Sequence, residues 1–235
     1  RCESLQCPAQ SVRLLRHFGS RNCLDIEALG DIVAEKLVER GYVTSPLDLF
    51  ALEVDALGAL NLGTEKEPRT FGEKNATKLL AAVDRTRTMP LARWLHALGI
   101  PRIGKTVAMQ IAQAHSSMTA VADSPILRDV LTLATMQDEA RVINPDASGD
   151  RRPKTPEERK QREDGLAHLN EQMLAIADRM AESDQIEKRD ITTKKNGIES
   201  VEIQTAIKQD AAQSALSFFA SERGQALLSQ LAALG

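Results

Sequence analysis

Four short segments of the chain set their apolar and small residues in one register: Leu29-Gly30-Asp31-Ile32-Val33-Ala34, Phe71-Gly72-Glu73-Lys74-Asn75-Ala76, Ile103-Gly104-Lys105-Thr106-Val107-Ala108 and Ile207-Lys208-Gln209-Asp210-Ala211-Ala212. Each has an apolar residue, then glycine (lysine in the last), then alanine four positions on. Leu37, Leu79, Ile111 and Ala215 follow three residues beyond each alanine. Residues three and four apart share one face of a helix, so each segment reads as a tight turn opening into an amphipathic helix. Apolar stretches precede each turn (Leu24 with Ile26, then residues 54–60, 91–98 and 198–203) and are read as the helices that enter it. Repetition of such a unit marks a repeat architecture. The pattern predicts an all-α fold.

The glycines of the first three segments stand at 30, 72 and 104, while the fourth equivalent is Lys208. That last interval leaves a long insertion, placed at residues 125–197. It carries helix signals of its own. Ser124-Pro125 suits N-cap and N1, with Leu127, Val130, Leu131 and Ala134 on one face. A loop rich in Asn, Pro, Asp and Gly follows at 144–154. Thr155-Pro156-Glu157-Glu158 then reads as a capping box. Behind it, Leu166, Leu169, Met173, Ile176 and Met180 alternate at spacings of three and four, a short heptad seam. The insertion is therefore read as a charged helical hairpin, either a packing elaboration or an arm that docks a partner. Asn196-Gly197 could be a type I′ turn between Ile191-Thr192-Thr193 and Val201-Glu202-Ile203. The repeat, however, calls for a helix at 198–203, and that helix is the expectation.

Composition narrows the class. Aromatic residues are only 3% of 235, which disfavours a strand-rich fold. No apolar run approaches the roughly 18 residues of a membrane span, and no secretory leader is recognisable. Three cysteines make no disulfide framework, so a cytoplasmic, reducing setting is expected. The net charge of −3 divides into +2 over residues 1–122 and −5 over 123–235. Bulk charge alone therefore does not argue for a polyanion partner.

The turns do. Glycine permits φ > 0 and close approach of another backbone, and the amides that open the following helix lack intrahelical partners. With the helix dipole they make a phosphate-sized anion site. The repeats resemble helix-hairpin-helix motifs (SAM/HhH2-like in tandem), which hold DNA backbones without reading sequence. The competing reading is a helical bundle whose glycines are only C-caps. On the DNA reading, the contacting residues are Arg21, Gly30, Asp31, Gly72, Lys74, Asn75, Gly104, Lys105 and Thr106. The fourth copy, with Ala206 and Lys208 in place of a permissive glycine, is read as mainly structural.

A more specific resemblance runs from the amino-terminal edge. Arg1-Cys2, Cys7-Pro8-Ala9-Gln10, His17-Phe18-Gly19-Ser20-Arg21 and Leu24-Asp25-Ile26-Glu27-Ala28-Leu29-Gly30 are similar to the bacterial NAD-dependent DNA ligases. So are Gly41-Tyr42-Val43, Asp48-Leu49-Phe50 and Ala97-Leu98-Gly99-Ile100. The resemblance covers about residues 1–122 and 198–235. It implies the end of a four-cysteine zinc site at 1–16, with Cys2 and Cys7 as half of the zinc ligands. It further implies hairpin repeats at 17–124, an insertion at 125–197 and a degenerate fourth repeat at 198–235. The implied partner is duplex DNA around a nick, gripped by a monomer, with NAD and Mg bound elsewhere in a parent enzyme that seals nicks. The family's adenylated lysine lies in Lys-x-Asp-Gly. Arg162-Glu163-Asp164-Gly165 is a decoy, because arginine stays protonated. No catalytic residue is assigned. Cys23 is read as a buried thiol, and His17, His96, His115 and His168 as scattered packing or surface residues. The alternatives are a hairpin module of another repair or recombination protein, and a helical scaffold that binds protein.

Overall fold

A computed structural model of the chain describes residues 8–193 and 197–234. The chain divides into two compact units, 1–109 with 218–235, and 110–217.

The first unit is helical. It contains α1 (Pro8–Gly19), α2 (Asp31–Glu39), a 3-10 turn at Pro46–Ala51, α3 (Val54–Gly58) and α4 (Glu73–Arg85). After a 3-10 turn at Thr86–Thr88 come α5 (Leu91–Ala97) and the start of α6 (Lys105–Ala114). The amphipathic stripes that predicted these helices are what they bury: Leu15 and Phe18 of α1, Leu37 of α2, Leu79 of α4 and Leu95 of α5 have almost no exposure. The single tryptophan, Trp94, meets Phe18 edge-on at 5.7 Å and stacks on Phe50 at 6.1 Å. Its indole N–H donates to the Thr86 carbonyl at 3.0 Å, so the buried polar atom is satisfied.

The second unit holds α7 (Met118–Ala122), α8 (Pro125–Ile143), α9 (Pro156–Ala181), a two-stranded sheet and most of α10 (Gln209–Ala220). The chain ends in α11 (Glu222–Leu234), back in the first unit. Both caps read from the insertion form. The Ser124 hydroxyl accepts from Leu127 N at 3.0 Å and the Thr155 hydroxyl from Glu158 N at 3.1 Å. Glu158 reaches back to Lys154 N at 2.8 Å, one residue beyond the expected reciprocal partner, Thr155 N. Leu166, Met173, Ile176 and Met180 of the expected seam are buried along α9, while Leu169 is only half-buried. Leu127, Val130 and Leu133 are buried along α8, whereas Leu131 and Ala134 of the expected face are half-buried. The two helices pack together, and Arg179 of α9 grips Asp129 of α8 with two hydrogen bonds of 2.8 and 3.1 Å.

The all-α expectation fails in one place. Residues 198–203 do not form a helix. β1 (Ile186–Thr193) and β2 (Glu199–Thr205) pair antiparallel, with Ile191 opposite Val201 and Arg189 opposite Ile203. The reason is period: Val201 and Ile203 are buried while Glu202 and Gln204 are exposed, the two-residue alternation of a strand with one covered face. Both strands pack on α9 and β2 also on α8; Gln137 accepts from Ile203 N at 2.9 Å and Asn170 donates to the Glu199 carbonyl at 2.9 Å. Part of the suspected turn, residues 194–196, lies outside the described residues, but Gly197 has φ +82 as a hairpin turn demands.

Two other expectations need correction. Leu24 and Ile26 are buried but lie in the connection after α1, not in a helix. The second repeat does not turn tightly either. Between α3 and α4 the chain makes a loop closed by an Asn61–Thr70 bridge, with Gly72 N donating to the Gly58 carbonyl at 3.0 Å.

Candidate nucleic-acid interface

The four segments found in the sequence build one local geometry. The residue at the glycine position accepts, through its carbonyl, from the alanine four residues on: Gly30 from Ala34 at 2.9 Å, Gly72 from Ala76 at 3.0 Å, Gly104 from Ala108 at 2.9 Å and Lys208 from Ala212 at 3.0 Å. All four alanines are fully buried, as are Leu37, Leu79, Ile111 and Ala215 three residues further. Each turn therefore ends where a helix begins, and the alanine lets that helix sit close to its neighbour. Gly30 and Gly72 cap α2 and α4 with no side-chain hydrogen bond. The first amides of those helices are thus left for solvent or a ligand.

The turns reach this geometry by different backbone routes, which corrects the expectation of a positive φ at each glycine. Gly72 has φ +84. Gly30 has φ −78, and Gly104 is also outside the positive-φ set. Two residues before them, Ala28 (φ 67) and Arg102 (φ 66) take the left-handed conformation instead. An added Cβ at Gly30, Gly72 or Gly104 would meet nothing within 4 Å. These positions are open outward rather than packed.

The first two turns share a groove. A cavity of about 670 Å³ is walled by residues 28–33 from the first and by Leu62, Arg69, Phe71 and Asn75 from the second. Two uncapped helix N-termini border it, and Arg69 supplies a cation that sequence reasoning passed over because it precedes the Phe71-Gly72 motif. The Asn75 amide is spent on the Phe71 carbonyl at 2.7 Å, which fixes the entry to α4.

The remaining candidates sort by what they do locally. Lys74, Lys105 and Thr106 are exposed on the first turns of α4 and α6, and neither lysine forms an ion pair among the described residues. Arg21 is exposed, and its carbonyl accepts from Arg93 at 2.9 Å, which ties the turn after α1 to α5. Asp31 is paired with Arg16, and the Arg16 hydrogen bond holds its carboxyl below the usual range. A carboxylate in the first helical turn repels phosphate, so Arg16, missed in the sequence, matters there as its neutralising partner. Glu27 is likewise held low by the Lys78 hydrogen bond, with Arg85 adding to it. Lys208 is not available in the same way: its ammonium donates to Glu187 at 2.7 Å and to the Thr205 carbonyl. Cys2 and Cys7 lie outside the described residues. Arg162 sits within α9 and pairs with Glu158.

One cluster was not anticipated. His17, Cys23 and His96 bring their ligand atoms within 4.8 Å of one another. Cys23 is fully buried, as expected, and burial pushes its thiol pKa up. Burial, with His17 next to it, lowers the pKa of His96.

The chain is similar to several bacterial DNA ligases. It is 49% identical to a DNA ligase of Akkermansia muciniphila over 145 residues, which are 62% of the chain and 18% of that relative. It is 40% identical to a DNA ligase of Alkalilimnicola ehrlichii over 59% of the chain and 19% of the relative. With one from Paracoccus denitrificans it shares 42% over 50% of the chain and 15% of the relative. The matched stretch spans less than a fifth of each of these curated relatives. No family model matches the chain. Among the described residues, no helix is long and apolar enough to cross a membrane.

Proposed function

We propose that this chain is a sequence-independent grip on duplex DNA around a nick, the helix-hairpin-helix part of an NAD-dependent DNA ligase. The observation that carries the reading is the fourfold register of turn, helix start and buried alanine, with the first two helix starts, both uncapped, bordering one groove. A helix N-terminus and adjacent lysines hold a phosphate oxygen through amide donors and charge, and need no base contact. Bulk charge does not decide it, so the cations that meet phosphate have to be local ones. The unit containing the first three turns has 16 Lys+Arg against 14 Asp+Glu, and the other unit 14 against 19. The similarity to ligases over part of the chain supports the parent activity of sealing nicks, with NAD and Mg bound outside this chain and no catalytic role within it. Cys2 and Cys7 would be half of a four-thiolate zinc site. Lys208, engaged with Glu187, makes the fourth copy a structural one.

The test is anisotropy of a labelled nicked duplex with the wild-type chain and with Lys74→Ala/Lys105→Ala. Loss of two phosphate cations should weaken binding uniformly across unrelated duplex sequences and make the dependence on salt shallower by about two in logarithmic slope. Unchanged affinity would remove these hairpins from the interface. No binding by the wild type would favour a helical scaffold that binds protein.

A further inference from the structure

We propose that His17, Cys23 and His96 form a second metal site, one that takes a zinc-class divalent transition ion and is independent of Cys2 and Cys7. The three residues come from the last turn of α1, the connection after it and the last turn of α5. His17 lies 79 residues from His96 along the chain, so no linear motif announces the site.

The geometry favours a metal over a chance meeting of polar groups. His17 Nε2 lies 2.9 Å from the His96 carbonyl oxygen and donates to it. A backbone carbonyl holding one ring N–H is the usual companion of a ligating histidine, because it leaves the other nitrogen bare and aimed. The Cys23 sulfur lies 3.9 Å from that other nitrogen, Nδ1, and 3.5 Å from Nε2, so it sits beside the ring rather than along the Nδ1 lone pair. Zinc bonds of about 2.3 Å to sulfur and about 2.0 Å to nitrogen at a tetrahedral angle put the two donors about 3.5 Å apart. Seating the ion takes a turn of the His17 ring that brings Nδ1 to face the sulfur. The His96 ring stands edge-on to that of His17 at 5.1 Å, and its Nδ1 is buried with no hydrogen-bond partner among the described residues. A buried nitrogen without a partner is costly unless something fills that role.

The donor set decides the class of ion. One thiolate and two imidazoles suit borderline ions such as Zn²⁺ or Co²⁺ and not the hard, oxygen-seeking Mg²⁺ or Ca²⁺. Zn²⁺ would replace the thiol proton, which leaves to solvent, and the fourth position stays with water. Partial exposure of both histidines gives the ion a way in. Bound there, it would clip the end of α1 and the stretch leading to the first turn onto the end of α5, which leads to the third.

The experiment uses the 235-residue chain carrying Cys2→Ser and Cys7→Ser, so that Cys23 is its only thiol. Cobalt(II) chloride is titrated and the optical spectrum read. The expected result is one equivalent of cobalt with a thiolate-to-metal charge-transfer band and tetrahedral visible bands, bleached by zinc. His17→Phe and His96→Phe in the same background should each weaken cobalt binding by about 100-fold or more. Trp94 fluorescence checks that these variants keep the first unit folded. A parallel measurement needs no histidine variant: zinc should slow alkylation of Cys23 at least tenfold. Absence of the charge-transfer band, a band that survives both histidine variants, or alkylation indifferent to zinc would each overturn the site.

Discussion

Gly72 and Gly104 occupy equivalent places in the sequence repeat, yet the structure gives them different reasons to be glycine. Gly72 is held at φ +84, ψ 148, at the edge of a region that residues with a Cβ occupy at a cost of about 1–3 kcal/mol. Nothing lies within 4 Å of an added Cβ, so no clash adds to that figure. Gly104 is equally open but has no positive φ. There, alanine restricts the unfolded chain without straining the folded one and is neutral or stabilising by about 0.4–1 kcal/mol. Gly72→Ala and Gly104→Ala should therefore differ by about 2 kcal/mol in the stability of the first unit. Urea denaturation followed by Trp94 fluorescence reads that unit selectively, because Trp94 is the single tryptophan and is buried in its core. Affinity should order the positions differently. Gly104→Val places bulk where a phosphate would approach, and should weaken binding to a nicked duplex by about 1–3 kcal/mol with little change in the urea midpoint. Equal midpoints for the two alanine variants would refute the backbone argument. A Gly104→Val protein that binds like the wild type would refute close approach at the third turn.

Three further outcomes follow from contacts already described. Lys208→Ala should leave DNA affinity nearly unchanged and cost no more than about 1 kcal/mol of stability, since its ion pair with Glu187 is largely exposed; the same anisotropy and urea assays decide it. Arg16→Gln should remove the depression of the Asp31 carboxyl. Because that folded-state pKa is lowered, the stability the pair adds is present above the unfolded-state pKa and lost as pH falls through the folded one. The wild-type and Arg16→Gln urea midpoints should therefore converge in acid, and a gap that persists below the Asp31 pKa measured by NMR would contradict the pairing. Excision of residues 125–205 with a short Gly/Ser join should keep nicked-duplex affinity within about threefold, roughly 0.7 kcal/mol. The excision has to take β2 with it, because a cut ending at 196 would strip the cover from Val201 and Ile203. A larger loss with Trp94 fluorescence unchanged would bring the insertion into contact with DNA.

What the sequence revealed was local and periodic. Ala34, Ala76, Ala108 and Ala212 could be aligned because burial at one position of a helix face repeats, and each is indeed buried. The Ser124 and Thr155 caps were readable because capping involves residues three apart. The hairpin at 186–205 was misread because Val201 and Ile203 offer only two buried positions of alternation, too short to outweigh a repeat that called for a helix. The backbone route through each turn was hidden as well, since Ala28 and Arg102, not glycines, carry the left-handed conformation. Only three-dimensional packing joins His17 and Cys23 to His96, or Arg69 to the turn at Gly30.

The central claim, that these turns hold phosphates, is tested most directly by the salt dependence of binding to a nicked duplex. Log K should fall linearly with log salt, by about 0.9 for every phosphate neutralised. With Arg21, Arg69, Lys74 and Lys105 as candidate cations on the first three turns, the account predicts a slope of about −2 to −4 that is the same for unrelated duplex sequences. A slope near zero, or binding that depends on base sequence, would contradict it.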